Sequence, residues 1–304
     1  MIKRVGFVGV GTMGEPMATN LLKAGFDVVV VAHRRREAVE RLVAAGAVET
    51  DTVAKAAGQV DAMVLCVSDD AAVESVTLGA EGVLSGGRRG LIVIDTSTIS
   101  PLTSQCVADA LREKEITLLD APISGGQGGA IAGTLAIMVG GPKEAFERVR
   151  PVLDAMGKAI TYIGPNGSAL VVKLANNLIV GAIASATSEA LTMAAKAGVD
   201  TGLVQRVLSE ATARGFFIQE RLPNSLLVGN LQPGFKLSLM RKDMGLALDF
   251  GKEMGVPMYM SALVHQLFTQ AQGMGLGDLD TTAIAELYTR ATGTSLKAGE
   301  QGGF

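Results

Sequence analysis

The sequence predicts an α/β domain with a mostly parallel sheet, followed by one long helix and an all-α domain. In the first half, short apolar runs alternate with helical patterns, and such alternation is typical of parallel sheets. Residues 164–198 then form a long apolar segment with no proline after Pro165. Beyond it, apolar residues recur at helical spacing and no strand alternation is convincing. We therefore divide the 304-residue chain into residues 1–163, 164–198 and 199–304.

The composition is that of a folded protein without a general affinity for polyanions. Hydrophobic residues make up 48% and charged residues 19% of the chain, which excludes gross disorder. The net charge of −3 provides no attraction to nucleic acid or to a membrane. The N-terminal residues pass directly into a strand pattern, so we expect no signal peptide and a cytoplasmic location. Cys66 and Cys106 lack metal-binding spacing and the chain has two histidines, so we expect no metal site.

A glycine pattern, GVGTMG, follows the first predicted strand and precedes a helical run and a second strand. In this context Gly9 permits a tight turn, Gly11 lets a pyrophosphate approach the backbone, and Gly14 lets the helix pack on the strand. The helix N-terminus adds free N–H groups and a positive dipole end. The pattern therefore predicts a Rossmann-type dinucleotide site. The residues expected to form it are Gly9, Gly11, Thr12, Met13 and Gly14.

The residues after the second strand indicate which nicotinamide cofactor binds. A site for NAD has an acidic residue here that accepts hydrogen bonds from the ribose hydroxyls. This chain has His33, Arg34 and Arg35 instead, and the first acid is Glu37. Because guanidinium groups suit a 2′-phosphate, the pattern favours NADP over NAD, with Arg34 as the first candidate. A solvated basic helix start is the alternative interpretation.

Two further positions are expected to face the cofactor. In open parallel sheets, ligands bind beyond the carboxyl ends of the strands. Val67 ends one predicted strand at this edge and Thr96 follows another, although Thr96 could also belong to an ordinary helix cap. The strands expected here are residues 61–67, 91–95 and 116–119, with helices at 68–76 and 101–112. The helices expected in the second half are residues 201–211, 236–254, 261–274 and 281–292, with a loop before Pro223.

A second glycine-rich stretch, DAPISGGQGGAIAG, covers residues 120–133. After a strand, Ser124 and the glycines could form a concavity of backbone N–H groups that suits a carboxylate. A flexible turn has the same composition, so the stretch alone leaves both interpretations open.

The long apolar helix carries a lysine where burial is costly. At 3.6 residues per turn, Lys173, Asn176 and Asn177 share one face. A lone lysine in an apolar helix often extends its amine to solvent, which is the alternative to a functional role.

A membrane span is excluded because a span needs about 20 predominantly apolar residues and this segment has several polar ones. Those polar residues are Asn176, Asn177, Ser185, Thr187, Ser188 and Glu189.

Four blocks, taken together and in order, resemble the β-hydroxyacid dehydrogenases, the group of 3-hydroxyisobutyrate and tartronate semialdehyde reductase enzymes. The resemblance extends from about Lys3 to about Thr292. The blocks are residues 9–14, residues 120–126 (DAPISGG), residues 173–177 (KLANN) and residues 235–243 (FKLSLMRKD).

The resemblance implies an N-terminal dinucleotide-binding domain, an interdomain helix and a helical C-terminal domain. It implies that Lys173 is the catalytic acid/base, with Asn177 beside it. The residues implied to bind substrate are Ser124, Gly125, Gly126 and Lys242. The residues implied to lie near the cofactor are Phe235, Lys242 and Asp243, with the Lys242–Asp243 pair closing the site.

We therefore expect reversible hydride transfer between a nicotinamide and a small 3-hydroxy carboxylate or its semialdehyde, with Lys173 exchanging the hydroxyl proton. Substrates of the 3-hydroxyisobutyrate, tartronate semialdehyde, succinic semialdehyde or glyoxylate type fit this expectation. The apolar helix also suggests burial against a partner subunit, so we expect a homodimer or homotetramer.

Three other classes of protein share parts of this pattern. The 6-phosphogluconate dehydrogenases have a histidine where this chain has Asn176. Imine reductases usually replace the lysine by aspartate or tyrosine, so Lys173 counts against that chemistry. A non-catalytic NADP-binding sensor or scaffold would have no reason to keep Lys173, Asn177 and Lys242 together.

Overall fold

The structure is a computed structural model that describes residues 2–31 and 36–300. The chain divides into two compact units, Met1–Lys173 and Leu174–Phe304. The division falls inside a helix, Ser168–Lys196, whereas the sequence placed a boundary before residue 164. That helix begins in the first unit and continues in the second.

The first unit contains a nine-stranded, mostly parallel sheet. Its strand order is β3-β2-β1-β4-β5-β6-β8-β7, and β9 pairs with β8. The chain order reverses at β1, which has β2 on one side and β4 on the other, and ligands of such sheets bind at this kind of reversal. The strands are β1 Arg4–Val8, β2 Asp27–Val31, β3 Val48–Thr50, β4 Ala62–Leu65, β5 Ile92–Asp95, β6 Thr117–Asp120, β7 Ile123–Ser124, β8 Leu135–Gly140 and β9 Gly157–Gly164.

The helices of the first unit connect these strands, which confirms the α/β fold predicted for this part of the chain. They are α1 Gly14–Lys23, α2 Arg36–Ala44, α3 Val53–Ala57, α4 Asp70–Leu78, α5 Val83–Gly86, α6 Pro101–Arg112, α7 Gly126–Ala132 and α8 Lys143–Met156, and the first turns of α9 Ser168–Lys196 follow.

Apolar side chains cover both faces of this sheet. Successive residues of a strand point to opposite faces, so Phe7 and Val64 enter one apolar layer while Val8 and Leu65 enter the other. Strands buried on both faces read as continuous apolar runs rather than as alternating ones, as in β2 with its four consecutive valines. This pattern made the central strands recognisable from the sequence.

Four strands were not predicted, namely β3, β7, β8 and β9. β3 and β7 have three and two residues, which is too short for a sequence pattern. β9 is largely exposed or half-buried and therefore lacks the apolar signal of the central strands.

The second unit is helical, as predicted. Its helices after α9 are α10 Thr201–Glu210, α11 Leu237–Glu253, α12 Tyr259–Ala271 and α13 Glu286–Thr292. Two details correct the sequence prediction. Phe217–Arg221 forms a wide helical turn where a loop was expected, and Thr281–Ala285 is a tight 3-10 turn before α13 rather than part of one helix.

The α9 helix has a buried face and an exposed apolar face. It is the only helix among residues 2–31 and 36–300 whose length and hydropathy would suffice to cross a membrane. Its buried polar side chains are those of a helix packed in protein, because Ser185, Ser188 and Thr192 each donate to the backbone carbonyl four residues earlier. The exposed side carries Ile179 and Met193, which are 61% and 72% exposed.

Candidate active site

The turn between β1 and α1 has the geometry that a dinucleotide phosphate requires. Gly9 has a φ of +93°, and a Cβ atom there would collide with the carbonyl oxygen of Cys66. A Cβ on Gly14 would collide with the carbonyl oxygen of Gly9, so helix and strand pack too closely for a side chain. Gly11 has no heavy atom within 4 Å of its Cβ position and therefore borders open space. The three glycines thus fit a phosphate-binding turn.

The N-terminus of α1 is open to a ligand. The helix begins at Gly14 after Met13, and no side chain caps it there. The first N–H groups of a helix have no partner within the helix, so they and the positive dipole end suit a phosphate. Thr12 and Met13 lie in this turn, and their contact with a cofactor stays a prediction.

A second edge of the predicted cofactor site is built around Val67 and Thr96. The Val67 N–H donates to Ser97 Oγ over 3.0 Å. The Thr96 hydroxyl donates to the Leu65 carbonyl over 2.6 Å, so it fastens the end of β5 to the end of β4. Thr96 and Ser97 therefore hold the backbone that carries Val67, and sequence reasoning did not identify the part played by Ser97.

The residues predicted to recognise the ribose 2′-position, His33, Arg34 and Arg35, lie outside the described residues. The next residue, Arg36, forms a two-fold contact with Glu49, with N–O distances of 2.5 and 3.2 Å. Its guanidinium is thus bound by the Glu49 carboxylate, which belongs to β3.

The glycine-rich stretch after β6 forms a turn that only glycine adopts readily. Ser124 ends β7 and pairs with Ala136 of β8. Gly125 and Gly126 follow with φ values of +130° and +62°, a region that residues with side chains rarely adopt. Ser124 and the two glycines follow one another in this turn, and their role in holding a carboxylate stays a prediction.

Two buried carboxyl groups lie at the ends of neighbouring strands, β5 and β6. Asp95 of β5 and Asp120 of β6 are register partners, and both are about 1% exposed. Burial, with a smaller contribution from the charge of Asp120, raises the pKa of Asp95 to about 6. Burial also raises the pKa of Asp120. Perturbed carboxyl groups of this kind are typical of functional sites. Asp120 opens the DAPISGG block, and the sequence did not predict its burial beside Asp95.

Lys173 and Asn177 lie one turn apart on α9, and both are buried, at 6% and 3% exposure. Lys173 therefore does not extend its amine to solvent. The Asn177 side chain accepts from Asn176 over 2.9 Å and donates to Asp243 Oδ2 over 2.6 Å. Since amide and carboxylate fix each other, the orientation of Asn177 is set.

The Lys242–Asp243 pair is not the plain surface pair that such neighbours often form. Asp243 is 2% exposed, and the Lys242 amine lies 3.0 Å from its Oδ1 atom. Asp243 thus joins Asn177 of α9 to Lys242 of α11, which brings together two of the four sequence blocks.

Phe235 lies in a segment held by the buried Asp280. Its N–H donates to Asp280 Oδ2 over 3.3 Å, and its carbonyl accepts from the backbone and the hydroxyl of Thr281. The guanidinium of Arg221 pairs with the same carboxylate. The backbone at Phe235 is therefore fixed, and Asp280 is a further residue that the sequence did not identify.

Comparison with known proteins assigns both halves of the chain. Residues 4–164 match the family described as the NAD binding domain of 6-phosphogluconate dehydrogenase, and residues 167–288 match the family described as NAD-binding of NADP-dependent 3-hydroxyisobutyrate dehydrogenase. The chain is 38% identical to 2-(hydroxymethyl)glutarate dehydrogenase of Eubacterium barkeri, with 98% of each chain covered. It is 37% identical to 3-hydroxyisobutyrate dehydrogenase of Pseudomonas aeruginosa, with 93% of this chain and 98% of that protein covered.

A solved structure agrees with these relatives. The 3-hydroxyisobutyrate dehydrogenase of Mycobacterium tuberculosis with L-serine superposes with a TM-score of 0.87 at 29% identity, covering 94% of this chain and 99% of that chain. The predicted resemblance is thereby confirmed. The chain belongs to the β-hydroxyacid dehydrogenase family and is an NAD(P)-dependent oxidoreductase of the 3-hydroxyisobutyrate dehydrogenase type.

Proposed function

We propose that this protein interconverts a primary 3-hydroxy carboxylate and its semialdehyde, with Lys173 as the general acid/base and NADP as the preferred cofactor. The observation that carries the proposal is the buried Lys173, one helical turn from an Asn177 that is fixed by Asp243. Burying an amine costs free energy, and buried ionisable groups of this kind are typical of functional sites.

The named compounds of the relatives support one substrate class. 2-(Hydroxymethyl)glutarate, 3-hydroxyisobutyrate and L-serine all have a CH₂OH group on the carbon that carries the carboxylate. They differ in the third substituent of that carbon. We infer a substrate of the form HOCH₂–CHR–COO⁻, in which the carboxylate and the primary alcohol are the recognised groups.

In this proposal each site residue has a defined task. Ser124, Gly125 and Gly126 hold the carboxylate through a hydroxyl and backbone N–H groups, which places the CH₂OH carbon. Lys173 accepts the hydroxyl proton when the alcohol is oxidised and returns a proton when the aldehyde is reduced. Asn177 orients the substrate oxygen and Lys173, while Lys242 adds a positive charge for the carboxylate.

The nicotinamide cofactor, when bound, accepts or supplies the hydride. The residues that would hold it are Gly9, Gly11, Thr12, Met13 and Gly14 at the phosphates, with Val67, Thr96, Phe235 and Asp243 near its other parts. The choice of NADP rests on the charges of His33, Arg34 and Arg35 in the sequence.

The decisive experiment pairs a substrate panel with a lysine variant. Oxidation of 3-hydroxyisobutyrate, L-serine and 2-(hydroxymethyl)glutarate, and reduction of tartronate semialdehyde, succinic semialdehyde and glyoxylate, are measured with NADP(H) and NAD(H). We expect Lys173→Ala to lower kcat by about 10²- to 10⁴-fold, the usual contribution of general acid–base catalysis, with cofactor affinity unchanged. Lys196→Ala, on the exposed last turn of the same helix, is the matched control.

Near-normal turnover in folded Lys173→Ala would remove this residue from the mechanism. A tenfold or greater preference for NADH would remove the NADP proposal. Turnover of cyclic imines without turnover of hydroxy acids would favour an imine reductase, and cofactor binding without any turnover would favour a sensor.

We propose that the protein acts in the cytoplasm as a homodimer or homotetramer. The exposed apolar residues Val172, Ile179, Ile183 and Met193 lie along one side of α9, and an exposed apolar stripe of this length is typical of a subunit interface. The double variant Ile179→Lys/Ile183→Lys should dissociate the oligomer in analytical ultracentrifugation, while Val48→Lys, on the exposed edge strand β3, should not.

A further inference from the structure

We propose that Asp120 is a positioning residue that fixes the carboxylate-binding turn relative to Lys173. This inference rests on the proposed function, because it assumes that residues 124–126 hold the substrate and that Lys173 moves the proton. It concerns the first unit alone, since Asp120, the turn and Lys173 all belong to it.

Asp120 is connected to the turn at residues 124–126 through the backbone and to the start of α9 through hydrogen bonds. It is the last residue of β6, four positions before Ser124. Its Oδ1 atom accepts from the N–H of Gly167 over 2.9 Å and from Asn166 Nδ2 over 3.3 Å. Those two residues immediately precede α9.

From this contact, a rigid element leads to the catalytic amine. Lys173 is in the second turn of α9, and a helix rises about 1.5 Å per residue, so the amine-bearing residue lies only about 8 Å along the axis from the start of the helix. A shift or tilt of the first turn therefore moves Lys173 by a similar amount. The Asp120 side chain bonds directly to the start of that helix, and its backbone leads to the turn at residues 124–126 four positions later.

The carboxylate also suits the end of a helix electrostatically. Helix N-termini carry a partial positive charge, and a carboxylate there is stabilised by it. The N–H groups of Gly167 and Ala169 favour the ionised form of Asp120, although burial opposes it and raises the pKa overall. Among residues 2–31 and 36–300, no lysine or arginine forms an ion pair with Asp120, so the helix end is its main source of positive potential.

The residues packed around the Asp120 carboxylate leave it little room to move. Gly140 of β8 faces the carboxylate, and a Cβ there would lie 2.6 Å from Asp120 Oδ2. Asn166 also donates to the Leu118 carbonyl over 2.9 Å, and the Gly141 N–H donates to the Gly164 carbonyl over 2.8 Å. Because these bonds persist without Asp120, its removal should misplace the helix start slightly and should not unfold the unit.

Small misplacements are what a positioning role predicts. An error of about 1 Å in a reacting group can cost about 100-fold in rate even when every reacting residue is present. The expected signature is a loss in the kinetic constants of the hydroxy acid without a loss of cofactor affinity.

The test compares Asp120→Ala and Asp120→Asn with Asp200→Ala. Asp200 is the matched control, because its carboxylate caps α10 through the N–H of Leu203 over 2.8 Å and has no place in the proposed site. We expect Asp120→Ala to lower kcat/KM for the best hydroxy acid by about 10- to 100-fold, through both kcat and KM. Affinity for NADPH, followed by its fluorescence, should stay within about twofold.

Asp120→Asn should recover most of the activity, because the amide oxygen can still accept from Gly167 and Asn166. Asp200→Ala should keep the wild-type kinetic constants. Wild-type kcat and KM in folded Asp120→Ala, or an equal loss in Asp200→Ala, would overturn the inference.

Two further variants keep the test decisive. If Asp120→Ala does not fold, Asn166→Ala removes the second donor to the same oxygen, and wild-type constants in that variant would overturn the inference. If Lys173→Ala retains turnover, the proposed function fails for a separate reason. A loss in Lys173→Ala with no loss in Asp120→Ala would contradict the positioning role alone.

Discussion

Buried aspartates occur in both units, and their surroundings differ. In the second unit, Asp280 receives the guanidinium of Arg221, the N–H groups of Gly234 and Phe235, and both the N–H and the hydroxyl of Thr282. Both of its oxygens are therefore satisfied, and the carboxylate joins three segments of the helical unit.

In the first unit, Asp95 and Asp120 lie side by side without such a counter-ion. Within the part of the chain that the structure describes, neither forms an ion pair, and Asp120 Oδ2 has no hydrogen-bond partner. Burying such groups costs stability rather than adding to it. The comparison teaches that Asp280 has the surroundings of a structural residue, whereas Asp95 and Asp120 have those of functional-site residues.

The largest effect is expected at Asp280. Asp280→Ala leaves Arg221 without its partner and four further donors without their acceptor, so the free energy of unfolding should fall by about 3 kcal/mol or more. Urea denaturation followed by circular dichroism measures this. Asp278→Ala, which removes only the exposed pair with Lys236, is the control and should leave the midpoint nearly unchanged. Similar midpoints for the two variants would contradict the structural role of Asp280.

The second effect is a pH dependence at Asp95. Its pKa is about 6 in the folded chain but ~3.9 when unfolded, so the unfolded chain loses this proton first as the pH rises. The free energy of unfolding that this group contributes therefore falls as the pH rises from about 4 to about 6. Asp95→Asn removes that loss, so at pH 7 the variant should be more stable than the wild type by up to about 3 kcal/mol.

The two proteins are compared by urea denaturation from pH 4 to pH 8. The stability difference should be absent near pH 4, grow as the pH rises to about 6, and stay constant above that. A difference that does not vary with pH would show that the ionised form of Asp95 carries no penalty.

A smaller effect is expected at Gly140. In Gly140→Ala the new methyl group would lie 2.6 Å from Asp120 Oδ2 and 2.9 Å from the Pro165 carbonyl oxygen. Crowding of this kind typically costs about 1–3 kcal/mol, and here it should also lower kcat by moving Asp120. Thermal unfolding and steady-state kinetics measure the two effects. Unchanged kinetics with lowered stability would separate Asp120 from the site.

The smallest effect is expected at Gly128, in the interior of α7. No heavy atom lies within 4 Å of its Cβ position, and its φ is not in the left-handed region. Gly128→Ala should therefore stabilise the chain by about 0.5–1 kcal/mol through the higher helix propensity of alanine. A loss of stability would mean that the turn after Ser124 needs the freedom of this glycine.

The sequence predicted those features that are encoded locally. The glycine turn at residues 9–14, the apolar central strands and the α9 helix each depend on a single continuous stretch. Lys173 and Asn177 could be identified because helical spacing places them on one face.

The contacts that fix the buried aspartates join residues far apart in the sequence, so no local pattern predicts them. Asp120 and Gly167 are 47 positions apart, and Arg221 and Asp280 are 59 apart. No periodicity links such pairs, and only the folded chain brings them together. Cofactor preference remains a prediction, because His33, Arg34 and Arg35 lie outside the described residues.

The single helix shared by both units has a consequence for exchanging halves between related enzymes. Because the boundary at Lys173 falls within α9, a junction there would combine side chains of two parents within one helix. The loop at residues 165–167, between β9 and α9, is the natural crossover point. A chimera made there would take Asp120 from one parent and the donors at Asn166 and Gly167 from either. The hydrogen bonds from these donors to Asp120 must therefore be able to form between residues of the two parents.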